Sequence, residues 1–375
     1  MKTGRDGLSV VQVNYAFDNE LSDPDALLAR YATLTGWADA LLAAGAQRSR
    51  VVQRFHRDAH IVRNAVEYVL VSARMADAVA SLSPDVAHVN GLIFGAQTWR
   101  LRRALSASTA IVAQNHSDTG PMGRAPWPRL IGRATRHAVD GFLFAADEHA
   151  ARWRRAGFIA PHQPAYQVME ASSRLQPVLR TVARAATGVL GRPAMIWVGR
   201  LNANKDPLVV LDAFERIGGS LPNATLTMIY SESDLVREVR TRIDGSGMLR
   251  ERVRLAGAVP HDRIAAYLSA ADLFIVGSHH EGSGYALIEA LACGTTPVVT
   301  DIPSFRLLTG GGRVGVLWQP GDAADCSRAM AAAARSDGET ERAAVRAHFE
   351  RHLSWSVVGQ RAMAIYRDVV TARRR

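Results

Sequence analysis

Two pairs of residues carry the clearest chemistry in this sequence. Arg200 and Lys205 stand five positions apart in GRLNANKD, directly after the apolar run Met195 to Val198. A guanidinium grips a phosphate through two parallel hydrogen bonds and an ammonium adds a compact point charge, so the pair suits a phosphate or diphosphate. Glu281 and Glu289 bracket the second stretch, EGSGYALIE. It reads as a polar loop, Ser278 to Gly284, between a buried strand and a helix running from about Tyr285 to Cys293. Ser283 is the expected N-cap, Gly282 and Gly284 let the backbone approach a ligand, and the helix start at Tyr285 leaves N–H groups that bind anions. Carboxylates beside an anion site repel phosphate, so Glu281 and Glu289 suit hydrogen bonds donated by sugar hydroxyls. Rossmann turns commonly carry glycines, and loop cations are commonly solvated. The weight lies in finding both pairs in one sheet.

Those loops need strands to hold them, and the chain alternates short apolar runs with helix-length amphipathic segments, the pattern of βαβ units. The first series of strands falls at Leu8 to Asn14, Val51 to Phe55, Val66 to Val71, Val86 to Val89, Ala110 to Gln114, Gly141 to Phe144 and Tyr166 to Met169. A long helix is expected at Asp25 to Ala44. The second series falls at Met195 to Val198, Leu226 to Tyr230, Val253 to Ala256, Leu273 to Val276, Pro297 to Thr300 and Val314 to Leu317. An α/β chain follows, with two Rossmann-like domains leaving a cleft between them. The first spans residues 1–173, a linker 174–193, the second domain 194–354, and a closing helix 355–375 long enough to return to the first domain. At 375 residues, two domains are also what core size leads one to expect.

Composition narrows the class further. Hydrophobic residues make up 48% and charged residues 21%, which excludes disordered and fibrous chains. Cys293 and Cys326 are the two cysteines, too few for a disulfide framework or a cysteine zinc cluster. No secretory signal pattern opens the chain, and no apolar run reaches the roughly 18 residues that span a bilayer. The expected address is the cytoplasm, the inner face of the membrane included. The formal charge of +10 points to an anionic partner, yet 43 of the 45 basic residues are Arg, a compositional bias that dilutes the signal. The same bias singles out Lys205, since Lys2 is the other lysine.

With these residues in view, the chain resembles the group 1 glycosyltransferases, family 4, whose fold is GT-B: two Rossmann-like domains facing each other across a cleft. EGSGYALIE matches the family's E-x7-E motif and is followed by ALACGTTPVV; WVGRLNANKDPLVVLDAF matches the strand and loop that bind pyrophosphate. RVRLAGAVPHDRIAAYLSAADLFIVGS, GVLWQPGD and SWSVVGQRAMAIYRDVV match as well. The resemblance is detailed from about Met195 onward and looser before. It implies that Arg200 and Lys205 hold the donor diphosphate, that Glu281 contacts the transferred sugar and that Glu289 binds the ribose, with Gly282, Ser283, Gly284 and Tyr285 completing the donor site. In the first half, PDVAHVNGLIFG and STAIVAQNHSD resemble the family's other informative region. That implies His116 as a residue reaching the donor sugar, with Asp118 a weaker candidate.

The expected activity is transfer of a hexosyl or related sugar from a nucleotide-sugar donor to an acceptor, a glycan, a lipid-linked molecule or a small molecule. Fixed cations and a helix N-terminus stabilise the charge that grows on a leaving diphosphate, so no metal and no cofactor are expected. Retention of configuration is what the resemblance implies. Three departures concern the substrate more than the class. The glycine pair usual after the first strand is absent after Asn14. Asp206 follows the motif lysine where glycine or asparagine is usual, and Glu170-Ala171-Ser172 replaces an Asn-Gly type turn. Arg129, Arg133 and Arg136 share one face of a segment with Leu130, Ile131 and Ala134 on another, a candidate peripheral membrane contact or an ordinary amphipathic helix. Two alternatives stay open: a GT-B phosphorylase or sugar-phosphate synthase, and a non-catalytic nucleic-acid-binding protein. Against the latter, nucleic-acid motifs are lacking and the arginines are spread along the whole chain.

Overall fold

The computed structural model describes residues 7–116, 126–231, 234–336 and 338–375, with 126–129 described by backbone alone. The chain divides into two compact units, Met1–Ser172 with Trp355–Arg375, and Ser173–Ser354.

The first unit is built on eight strands: β1 (Ser9–Asn14), β2 (Arg48–Arg54), β3 (Ala59–Arg63), β4 (Val66–Val71), β5 (Val86–Asn90), β6 (Ala110–Gln114), β7 (Gly141–Phe144) and β8 (Ala165–Gln167). Their order is β3-β4-β2-β1-β5-β6-β7-β8. All neighbours are parallel except β3 and β4, which form an antiparallel hairpin. β1, β6 and β7 are buried along their full length, as strands covered by helices on both faces must be, and this is why they read as unbroken apolar runs. β3 escapes the sequence because its residues are mostly exposed and its turn uses Asn64 and Ala65, both at positive φ, instead of a glycine. The long first helix is two, Pro24–Arg30 and Ala32–Ala43, broken at Tyr31.

The last helix, Trp355–Arg374, packs on Ala32–Ala43 within this unit. A polar chain runs through the contact: the Trp37 indole donates to the Tyr366 hydroxyl at 3.1 Å, and that hydroxyl lies 2.7 Å from Nδ1 of His88 on β5. His88 is fully buried, and desolvation, helped by the nearby His116, pushes its pKa down to about 3 against an opposing interaction with the Gln114 side chain. It is a neutral core histidine.

The second unit holds six parallel strands: β9 (Ala194–Arg200), β10 (Thr225–Ser231), β11 (Val253–Gly257), β12 (Leu273–Val276), β13 (Thr296–Thr300) and β14 (Val316–Trp318). Their order is β11-β10-β9-β12-β13-β14. Its core gathers Trp197, Phe214, Met228, Leu249, Ile275 and Trp318, each large buried side chain contributing about 2 kcal/mol of apolar burial. The helix Arg180–Thr187 packs on the helix His261–Ala270 of this same unit, with Ala183, Val189 and Ala194 in one buried cluster.

Candidate active site

In the second sheet the chain leaves β9 toward β10 on one side and returns at β12 on the other. That reversal places the loop after β9 beside the loop after β12, at the carboxyl ends of neighbouring strands, where open α/β sheets bind ligands. The two loops carry both residue pairs singled out from the sequence, and they are tied together. The Asn204 side chain donates to the His280 carbonyl at 3.0 Å and accepts from the His280 N–H at 3.0 Å, while the Asn204 carbonyl accepts from the His279 N–H at 2.9 Å. His279 Nε2 faces Asp206 Oδ2 at 3.0 Å. Gly277 eases this approach: a Cβ there would stand 3.1 Å from the Asp206 carbonyl and 3.3 Å from that of Lys205, a tight contact.

Within that frame, Lys205 Nζ donates to Glu281 Oε1, the two side chains being 19% and 13% exposed. The Asn202 side chain accepts from the Lys205 N–H at 3.0 Å and fixes the turn. Asp206 sits at φ 42°, the left-handed region that glycine and asparagine favour and aspartate tolerates. This explains the position's usual preference and shows how Asp206 fills it while gaining His279 as partner. Arg200, at the exposed end of β9, has no side-chain hydrogen bond or ion pair among the described residues.

The helix after β12 spans Tyr285–Ala292 and starts from Gly284 at φ 65° with no side-chain cap. Ser283 is therefore not the N-cap. Its hydroxyl is buried without a partner among the described residues, as is that of Ser278. Gly284 has no side chain to cap the helix, whose first turn carries N–H groups of the kind that bind anions. Gly282 precedes them in the loop, and Tyr285 opens the helix half exposed, at 47%. Glu289, one turn further on, lies 2.7 Å from Nε2 of His261, the first residue of the helix His261–Ala270. The structure thus brings Lys205 to Glu281 and gives Glu289 a different neighbour. His261, His279, Asn202 and Asn204 were not singled out from the sequence. Polar residues in loops give no signal until the loops are brought together.

His116 lies in the first unit, two residues past β6. Its Nδ1 pairs with Glu170 Oε2, and its Nε2 faces Asn90 Oδ1 at 3.2 Å. Desolvation lowers the pKa of the ring, but the charge and hydrogen bond of Glu170 outweigh it, and the net direction is upward. After β1, the Asn14 side chain accepts from the Ala16 N–H at 3.2 Å and Gln53 donates to the Ala16 carbonyl at 2.8 Å. Side chains hold the turn that a glycine pair would otherwise make. Asp118 and the Arg129 side chain lie outside the described residues. Arg133 and Arg136 donate at 2.9 Å to the carbonyls of Ala156 and Gly157, where the helix Asp147–Arg155 ends. Guanidinium groups at a helix C-terminus are well placed electrostatically, so these two arginines serve the fold of their own unit.

The family model described as glycosyl transferases group 1 matches residues 181–349, the part of the chain that contains Arg200, Lys205, Glu281 and Glu289. Over those residues the chain matches the group 1 glycosyltransferases, and it is a glycosyltransferase. This glycosyltransferase is 26% identical over 287 residues to the GDP-mannose:cellobiosyl-diphosphopolyprenol alpha-mannosyltransferase of Xanthomonas campestris, covering 74% of this chain and 73% of the relative. It is 32% identical over 181 residues to the phosphatidyl-myo-inositol mannosyltransferase of Mycobacterium leprae (strain TN), covering 48% and 47%. Among solved structures, Anabaena HepE in complex with UDP superposes with a TM-score of 0.73 at 15% identity, over 96% of this chain and 100% of that one. Sucrose-phosphate synthase from Thermosynechococcus elongatus superposes at 0.67 with 18% identity, over 97% and 100%. At such identities the structures establish the fold, GT-B. The non-catalytic, nucleic-acid-binding alternative falls with these glycosyltransferase matches.

Proposed function

We propose that this glycosyltransferase moves a hexosyl or related residue from a nucleoside-diphosphate sugar to an acceptor, with retention of configuration and without a metal ion. The observation that supports the reading is the switch-point pairing of the two loops: Lys205 fixed at Glu281, Arg200 at the exposed end of β9, and after β12 a helix that starts with no side-chain cap. Arg200, Lys205 and the N–H groups after Gly284 would take the diphosphate; charge grows there as the sugar–phosphate bond breaks, so donors fixed in advance favour the transition state over the ground state. Glu281 would accept from a hydroxyl of the transferred sugar and Glu289 from the ribose. His116 would donate to the sugar from the first unit. Retention then rests on attack at the same face, since no carboxylate is assigned as a covalent nucleophile.

A thermal-shift screen of UDP, GDP and ADP in the presence of EDTA tests the reading. One of them should stabilise the protein by about 2.7 kcal/mol at about 100 times its Kd, equally with and without added Mn²⁺. Stabilisation that requires Mn²⁺ defeats the proposed diphosphate site. The HepE structure holds UDP and the name of the Xanthomonas relative specifies GDP-mannose, so both bases belong in the screen.

For the acceptor we favour a lipid-linked molecule, since the names of both mannosyltransferase relatives specify one. In the first unit, Leu130 and Ile131 are 57% and 45% exposed on the helix Pro126–Thr135, an apolar pair suited to a peripheral membrane contact even though Arg133 and Arg136 are engaged internally. Failure to co-sediment with anionic vesicles at low salt removes the membrane part.

A further inference from the structure

The first unit contains a buried acid that the proposed reaction does not use. Glu170 follows β8 in the turn where the resemblance leads one to expect an Asn-Gly pair, and its side chain is 3% exposed. A carboxylate that deep needs a partner to remain ionised. Its partner is Nδ1 of His116. The other ring nitrogen, Nε2, lies 3.2 Å from Oδ1 of Asn90, the last residue of β5. A neutral imidazole offers one donor and one acceptor, whereas an imidazolium offers two donors. Here Nδ1 meets a buried carboxylate, which favours the doubly protonated ring, and Nε2 meets the Asn90 amide, whose oxygen can accept that ring's second N–H. Three carboxyl-end segments of one sheet, after β5, β6 and β8, converge on this ring.

We propose that Glu170 is a positioning residue: with Asn90 it clamps His116 in a single orientation and as an imidazolium, so that the ring presents an oriented N–H donor and no base. The inference rests on the reading that His116 meets the donor sugar, where such a ring would donate from Nε2 to a hydroxyl oxygen in competition with Asn90. Among the described residues, the titratable groups that act on the ring are Glu170 and His88, and His88 is neutral. The direction of the His116 pKa, upward under Glu170, agrees with the geometry. Substituting an acid for asparagine in the turn thus changes the histidine's protonation state as well as its placement.

The test uses the full chain with ¹³C-labelled histidine, following the His116 Cε1–H signal with pH, beside transfer or hydrolysis of the nucleotide sugar selected by the thermal-shift screen. His116 should titrate above the ordinary 6.5. In Glu170→Gln, which keeps the shape and loses the charge, its midpoint should fall. kcat should fall by about tenfold while the donor KM stays within about twofold, the mark of lost orientation rather than lost binding. Glu170→Asp should recover part of both. A wild-type ring titrating at or below 6.5 overturns the proposal, and so does an unchanged midpoint in Glu170→Gln. The wild-type titration decides the matter even if that variant fails to fold. His116→Ala turning over at the wild-type rate overturns instead the assignment of His116 to the sugar, whatever the titration shows, and with it the role of Glu170 in transfer.

Discussion

Lys205 and Glu281 come from loops 76 residues apart in sequence, and the strength of their pairing can be measured directly. With side chains 19% and 13% exposed, the pair lies between a surface ion pair and a buried one. At an effective dielectric of about 20, unit charges about 4 Å apart attract by about 4 kcal/mol. Partial desolvation of both ions and the rotamer freedom lost by the lysine, about 2 kcal/mol, return most of this. The coupling left over should be about 1–2 kcal/mol, above the few tenths typical of exposed pairs. In a double-mutant cycle on urea unfolding, Lys205→Met leaves a largely covered carboxylate unpaired and should destabilise by about 1–3 kcal/mol. Adding Glu281→Gln to it should cost much less than Glu281→Gln alone. Single effects that sum to the double within about 0.3 kcal/mol would refute the claim that this pair joins the loops. The same variants read the chemistry. Lys205→Met should reduce transfer by about 100-fold or more, the scale of losing one fixed electrostatic donor. Lys205→Arg keeps the charge in a wider fork, and it too should lose most activity. Near-normal turnover in Lys205→Arg would mean that the ammonium's size and placement are unimportant.

The two glutamates should separate kinetically: Glu289→Ala, losing the proposed ribose contact made in ground and transition states alike, should chiefly raise the donor KM, whereas Glu281→Ala, losing the proposed contact to the sugar whose bond breaks, should lower kcat further. Equal small effects in steady-state kinetics would remove both from the donor site. The buried His88 predicts acid sensitivity. Its folded pKa, about 3, lies below the unfolded value of 6.5, so its contribution is intact above 6.5 and is lost as pH falls toward 3. Between pH 7 and pH 5 this amounts to about 2 kcal/mol. Urea unfolding of His88→Gln should show a correspondingly shallower pH slope than wild type, and an identical slope would place the acid sensitivity elsewhere.

Residues adjacent in sequence announced much of this enzyme. Arg200 and Lys205 follow one apolar run, Glu281 and Glu289 flank one loop and helix, and a parallel sheet covered on both faces writes its strands as continuous apolar segments. Local pattern fails where the backbone departs from its usual chemistry. The hairpin at Asn64-Ala65 carries no glycine, the first helix breaks at Tyr31, and the helix after β12 starts from Gly284 in a left-handed conformation, leaving Ser283 as no cap. Nothing in the spacing says that Lys205 meets Glu281, that His261 rather than another residue faces Glu289, or that Glu170 stands behind His116. Each pair joins segments separated by 28 to 76 residues. Strand order decides which of them are neighbours, and strand order follows from how whole elements bury their apolar faces. Residue type tells what a side chain can do; only the packed sheet selects the partner that sets its charge and direction.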